Sequence, residues 1–472
     1  MLKVIMMKKI VYILMMSLMV LSSCDDYLDV IPKGKVIPET LEDYRLLLDQ
    51  THYYDGTEGL AYSYGFDVFY SNDLVVTENA LNAYTRPAIQ NAIMFKEHFY
   101  MDDEVDGNWY TCYHHIYKAN VVIQQVMDAT TGSEAEKAAL LGEGYVHRAF
   151  AYWALVNLYA KHYDAATAGT DLGVPLRMQL DFEENLTRAS VQEVYDQIKS
   201  DLLNAVDKMD AGPTPELNHR PNNAAAYGLL ARVALYQKDL DNAIKYAEEA
   251  LTNYSVMLDF NTLQPSWWAP GYLQLPMNQS NPEMTLLKLS HNAASTIYVS
   301  EELRDMMDPV DDLRSLAYLF PDDVFYPGSP DFLSAKFIGN TSNNGTSTAE
   351  LYLIQAEAYA REGGVENREK AMQSINKIRE MRFKTGSAYE LTADNDQQAL
   401  ALVKAERRIE LQFNGQRLFD IKRYRLWDNE QFSLTNTING EDYVLDDDSP
   451  RWVFPIARKY INQNPEIEQN KR

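Results

Sequence analysis

Apolar positions recur at helical spacing over long stretches of this chain and lose that rhythm in two others. From Asn222 to Tyr254, NNAAAYGLLARVALYQKDLDNAIKYAEEALTNY, the pattern predicts two amphipathic helices with a turn near Lys238-Asp239. Tyr227, Leu230 and Ala231 in the first, with Ala243, Ala247 and Ala250 in the second, give the alternation of large and small that lets paired helices pack closely. A second pair is expected over 349–382, where AELYLIQAEAYAR meets a Gly363-Gly364 break before AMQSINKIREMR. A third runs over 142–209, from GEGYVHRAFAYWALVNLYAKHY to SVQEVYDQIKSDLLNAVDKM. Upstream, Thr40 is placed to cap a helix whose Leu41, Tyr44, Leu47 and Leu48 share one face. The expected architecture is mostly α, a tetratricopeptide-like scaffold of helical pairs.

The rhythm fails over roughly 51–110 and 259–347, which are rich in Tyr, Trp, Asn, Gly and Pro. Loops of that length inside a domain are uncommon unless they carry function. The first holds Tyr53, Tyr54, Tyr62, Tyr64, Tyr70, Tyr84 and Tyr100; the second holds Trp267, Trp268, Tyr272, Tyr298, Tyr318, Tyr326 and Phe332.

The N-terminus sets an address. Lys3, Lys8 and Lys9 flank an apolar run from Ile10 to Leu21, long enough for a signal peptide and too short to span a bilayer. It leads into Leu21-Ser22-Ser23-Cys24, which resembles a lipobox, so residues 1–23 are expected to be removed and Cys24 to carry the lipid. Residues 24–34, CDDYLDVIPKG, read as an acidic tether, and 35–472 as one domain interrupted by the two insertions. Loss of residues 1–23 removes three lysines and no acids and moves the formal charge from -25 to -28, which argues against nucleic-acid binding. With Cys24 acylated, Cys112 is the remaining thiol, so neither an intramolecular disulfide nor a cysteine-rich zinc site is available.

Several separate segments, in order, resemble the SusD/RagB lipoproteins of Bacteroidetes: the lipobox with YLDVIPKGKVIPETLEDY, the helix AELYLIQAEAYAR, ERRIELQFNGQRLFDIKRY (406–424) and RWVFPI (451–456) with Asn464-Pro465. That resemblance implies an outer-membrane lipoprotein without catalytic activity, packed against a SusC-like TonB-dependent transporter and presenting aromatic residues to an oligosaccharide. It also implies that Asp25, Asp26 and Asp29 serve as a surface-export signal. Sugar rings need flat aromatic surfaces with polar partners at the rim. By composition and region, the insertions are expected to supply Trp267, Trp268 and Tyr272 as a stacking surface, with Tyr84, Asn72 and Arg86 as partners. A RagB-like peptide site, a surface glycosidase and a purely structural lid are the competing readings.

Other constellations carry less. Glu406 and Glu410 would be an acid/base pair in a glycosidase, but their neighbours Arg407 and Arg408 favour structural ion pairing. His114-His115 lacks the helical spacing of metal ligands, and counting from Asp102 puts Tyr113 where a calcium loop needs its bidentate Glu. An irregular calcium site at 102–108 or at Asp446-Asp447-Asp448 stays open; no metal or cofactor is otherwise expected. No Walker loop, Gly-x-Ser-x-Gly elbow or His-Glu-x-x-His motif is present.

Overall fold

The computed structural model describes residues 38–51, 59–181, 186–291, 297–324, 331–336 and 341–472. Residues 1–37, with Cys24 and the acidic tether, lie outside that set, as do Tyr53, Tyr54 and Tyr326.

The principal helices are α1 (Leu41–Leu48), α2 (Gly107–Gln125), α3 (Glu134–Tyr159), α4 (Val191–Ala205), α5 (Asn223–Tyr236), α6 (Leu240–Asn253), α7 (Thr348–Glu362), α8 (Val365–Arg382), α9 (Asp396–Glu410) and α10 (Arg417–Asp428). All three expected helical pairs form, as α3 with α4, α5 with α6 and α7 with α8, and α2 adds a further partner to α3.

Local chemistry fixes the ends. Thr40, Ser133 and Ser190 each form a capping box with the acid three residues on, satisfying two backbone donors reciprocally. Asn222 and Ser347 cap α5 and α7 with side-chain oxygens. Lys238 adopts φ +60° in the turn between α5 and α6. Gly363 and Gly364, at φ +73° and +87°, end α7 in the left-handed region that favours glycine, and a Cβ on Gly363 would lie 2.9 Å from the Asp396 carboxylate.

Small residues set the distances between helices. Gly142 on α3 faces the end of α4, where a Cβ would come within 3.3 Å of the Ala205 carbonyl, and Gly144 faces Val122 and Ile123 of α2. Ala243, Ala247 and Ala250 of α6 are fully buried, which lets this helix sit closely on both α5 and α7. Arg148 of α3 locks three helices together, with bidentate bonds of 2.8 and 2.6 Å to Asp201 of α4 and one of 2.8 Å to Asn120 of α2.

The segment 406–424 is a buried ion lattice. Glu406 and Glu410 of α9 accept from Arg314, Glu410 also from Arg382 and the Tyr318 hydroxyl, and Arg407 pairs with Asp420 at 2.8 Å. Arg423 of α10 binds Glu357 of α7 bidentately, while Lys422 donates to the Asn157 and Ala160 carbonyls at the end of α3. Two nearby arginines hold Glu410 down to about 2 against the effect of its burial. With every oxygen engaged by a cation or hydroxyl inside the protein, these carboxylates are structural and offer no acid/base pair.

The two insertions behave differently from each other. In the first, Tyr64, Tyr70, Phe95 and Phe99 are buried and pack on Trp153, Phe419 and Phe454, so its aromatics serve the main core. It also supplies β1 (Leu74–Val76). The second supplies β2 (Gln264–Pro265), β3 (Leu273–Gln274), β4 (Leu289–His291), β5 (Ile297–Val299), β6 (Leu319–Pro321), β7 (Phe332–Ser334) and β8 (Thr341–Asn343). β1, β5, β7 and β6, in that spatial order, form an antiparallel sheet; β2–β3 and β4–β8 are separate ladders. A hairpin of β9 (Leu434–Ile438) and β10 (Glu441–Leu445) follows α10.

Candidate functional site

The β2–β3 hairpin displays a large aromatic side chain, Trp267, to solvent. Gln264 opposes Gln274 and Pro265 opposes Leu273, and the turn between them is closed by Ser266 N–H donating to the Tyr272 carbonyl at 2.8 Å. Inside the turn, Tyr272 N–H reaches the Ala269 carbonyl, Ala269 N–H reaches the Ser266 hydroxyl, and Gly271 takes φ +90°. Leu273 and Leu275 anchor the hairpin on a small apolar cluster of Phe260, Leu313, Ala317 and Tyr318.

The two tryptophans of the turn divide between interior and solvent. Trp268 is half-buried, its indole N–H donating to Gln274 Oε1 at 2.9 Å and its ring edge-on to Phe320 of β6 at 4.6 Å. Trp267 stands out, 87% exposed. Tyr272 is half-buried in the same turn, and burial raises its phenol above the ordinary value. The hydrogen-bonded turn therefore presents one indole to solvent.

The remaining expected partners lie elsewhere. Tyr84 is 7% exposed, edge-on to Phe69 at 5.7 Å in the main core, and has no face to offer a ligand. Asn72 accepts from both Nε and Nη2 of Arg417 at 3.1 and 3.0 Å and donates to Glu302, so its amide joins α10 to the short helix Glu301–Asp305. It precedes β1, one edge of the four-stranded sheet, whereas Trp268 packs on β6 at the other edge, roughly 14 Å away across three strand spacings. Arg86 is exposed, donating to the Val105 carbonyl at 3.0 Å and lying 3.7 Å from Glu104. Trp267, Trp268 and Tyr272 therefore share one hairpin turn; Tyr84 is spent on packing and Asn72 on hydrogen bonds to Arg417 and Glu302. Gln274 and Phe320, which fix Trp268, carry no sequence signal beyond their place in the insertion.

The oxygen-rich segments are likewise occupied. Asp106 caps α2 through Asn108 and Trp109 N–H and accepts from the Tyr159 hydroxyl; burial raises it to about 6. Asp102 pairs with Arg458 and Asp447 with Arg425. Among the described residues no three His, Cys, Asp or Glu side chains gather as metal ligands would.

Comparison with known proteins gives this arrangement a family. A profile described as starch-binding, associating with the outer membrane, matches residues 26–235, and the SusD family profile matches residues 337–472. The chain belongs to the SusD/RagB family. Two SusD-like proteins of Formosa agariphila are 24% and 22% identical to it, the first over 98% of both chains and the second over 85% of this chain and 87% of its own. Among solved structures, a SusD superfamily protein of Bacteroides thetaiotaomicron superposes with a TM-score of 0.68 at 18% identity, over 92% of this chain and all of that one. A laminarin-binding SusD-like protein does so with a TM-score of 0.62 at 18% identity, over 91% of this chain and 98% of that one. The tetratricopeptide-like architecture is thus the SusD fold, and the family is one associated with the outer membrane.

Proposed function

We propose that this SusD-family protein is a lipid-anchored surface protein that captures an oligosaccharide and delivers it, without chemical change, to a SusC-like TonB-dependent transporter. The observation that supports this reading is the solvent-facing Trp267 indole on a hairpin whose other tryptophan, Trp268, is braced from behind by Gln274 and Phe320. A flat apolar surface matches the CH face of a sugar ring. The laminarin binding of a structurally similar protein points the same way. A peptide site is less well supplied, because β2 and β3 are two residues long and offer almost no open edge for strand addition. The glycosidase reading loses its candidate pair, since Glu406 and Glu410 are buried in ion pairs.

The test is calorimetry of the chain from Asp25 onward against plant, host and microbial oligosaccharides, laminarin fragments included, with Trp267→Ala alongside. Binding of one glycan class, weakened about thirtyfold or more in the variant as for a central aromatic anchor, is the expected result. Silence across the panel, or binding indifferent to Trp267, would remove the hairpin from the mechanism.

A further inference from the structure

A recess lies far along the chain from the hairpin, against the first half of α2. It has a volume of about 260 Å³ and is walled by Trp109, Tyr110 and His114 of α2, by Tyr460 and Asn464 of the C-terminal segment and by Arg177. Trp109 is buried and nearly parallel to the Tyr460 ring at 6.1 Å, while Tyr110 is 40% exposed beside the His114 ring at 5.8 Å. Tyr110 and Tyr117, seven residues apart and therefore on one helix face, are both exposed where a surface helix ordinarily carries polar side chains.

Two of the lining residues carry polar atoms without a protein partner among the described residues. His114 Nδ1 is buried without a hydrogen-bond partner. Asn464 uses its Nδ2 on the Tyr460 carbonyl and, among the described residues, leaves Oδ1 without a protein donor. Burial, with the Lys118 charge nearby, holds the His114 imidazole down to about 4, so it is neutral at physiological pH. No carboxylate lines the recess, and the Arg177 guanidinium donates to the Asp181 carbonyl, so neither a cation nor a metal finds a counter-charge there. The volume is below the roughly 300–1,000 Å³ of sites that enclose drug-sized ligands, and equals about nine waters of ~30 Å³ each, room for one ring and not for a chain. Aromatic walls with hydrogen-bonding atoms between them are what a sugar ring requires, since it presents CH groups and hydroxyls together.

We infer that the recess between Trp109, Tyr110, His114 and Tyr460 is a second carbohydrate subsite that takes a single neutral pyranose ring. This rests on the glycan reading given above, and it places a second point of attachment on the molecule. Two weak sites that one polysaccharide reaches together raise avidity without tightening either.

The test is saturation-transfer NMR with methyl β-D-glucopyranoside, methyl β-D-galactopyranoside and methyl α-D-mannopyranoside. Four proteins are compared: wild type, the hairpin variant Trp267→Ala/Trp268→Ala, and Tyr110→Ala or His114→Phe each placed in the hairpin variant. Transfer to at least one glycoside is expected to survive in the hairpin variant, to be lost with Tyr110→Ala, and to weaken roughly five- to tenfold with His114→Phe, the loss of one hydrogen bond at kept shape. Tyr110 is an exposed side chain with no hydrogen bond from its hydroxyl among the described residues, so its removal leaves the fold intact. The proposal is overturned if the hairpin variant shows no transfer, if transfer is indifferent to both α2 substitutions, or if N-acetyltyrosinamide binds the recess and the glycosides do not. Binding of oligosaccharides to wild type through the hairpin alone would overturn this subsite and leave the glycan reading standing; no binding of any sugar to wild type would end both.

Discussion

Single side chains in this protein divide into those that hold charge in the interior and those that face water, and substitution separates the two kinds. Arg232 is fully buried and meets Glu350 bidentately at 2.7 and 2.6 Å while donating to the Asn344 and Gly345 carbonyls. Arg232→Met leaves the Glu350 carboxylate in the core without its cation, and the expected cost is about 3–5 kcal/mol, read from the midpoint of urea unfolding. Trp267→Ala, by contrast, is expected to leave that midpoint unchanged within about 0.5 kcal/mol, because the indole buries almost nothing. Asp67 gives a third kind of behaviour. Its carboxyl is buried, burial raises it to about 7, and Oδ1 has no partner. An acid whose folded value lies above its unfolded value near 3.8 binds more protons in the native state between the two, so its contribution falls as pH rises from about 4 to 7. Asp67→Asn is therefore expected to stabilise the protein at pH 8, by on the order of 2–4 kcal/mol, and to remove that downward slope. Unfolding midpoints that show the same pH profile in both proteins would exclude Asp67 as its source. The behaviour of Asp67 is not legible in the sequence, where it is one acid among 68 acidic residues and nothing marks it as buried.

Elements were legible where periodicity and caps agreed. Ala243, Ala247 and Ala250 in α6, and the Gly363-Gly364 break after α7, mark real features because small residues and left-handed glycines answer to backbone geometry, which is local. α6 touches α5 on one side and α7 on the other through its alanine face. Ala247→Leu is expected to force these helices apart and cost about 1–3 kcal/mol, with a lowered unfolding midpoint as the readout. The insertions were read as one kind of segment and are two. Tyr64, Tyr70 and Tyr84 fill the core, while Trp267 is displayed, although all four sit in stretches of similar composition. What separates them is which distant element arrives to cover them, Phe419 and Phe454 from the C-terminal part in one case and nothing in the other. Residue order within a loop does not carry that information. The same reason explains Asn72, whose polar side chain suits a sugar hydroxyl by type but meets Arg417 from 345 positions away. The recess at α2 had a visible trace, the run Trp109-Tyr110-Thr111-Cys112-Tyr113-His114, yet its second wall comes from Tyr460 and Asn464.

At the scale of the whole molecule, the proposed capture at a membrane surface requires an anchor. No helix among the described residues is long and apolar enough to cross a bilayer. The capture reading needs the protein held at the surface, and the Leu21-Ser22-Ser23-Cys24 segment is the part of the sequence suited to do it by lipid. One acyl chain gives only marginal membrane binding and two give a stable anchor, so a diacylated Cys24 would hold a body with a formal charge near -28 against an anionic surface. Described structure starts at Pro38, and the first capping residue is Thr40, so loss of the thiol leaves every described contact in place. Cys24→Ser is accordingly expected to give protein with an unchanged unfolding midpoint that no longer incorporates labelled palmitate and moves from the membrane pellet to the soluble fraction. Ionic strength then distinguishes the remaining ways of staying bound. Protein that stays in the pellet and is released by salt would be held through charges on a partner, since exposed ion pairs are screened within about 8 Å at physiological strength. Protein that stays through a salt wash but leaves with detergent would show that an acyl chain or another apolar anchor sits somewhere other than Cys24.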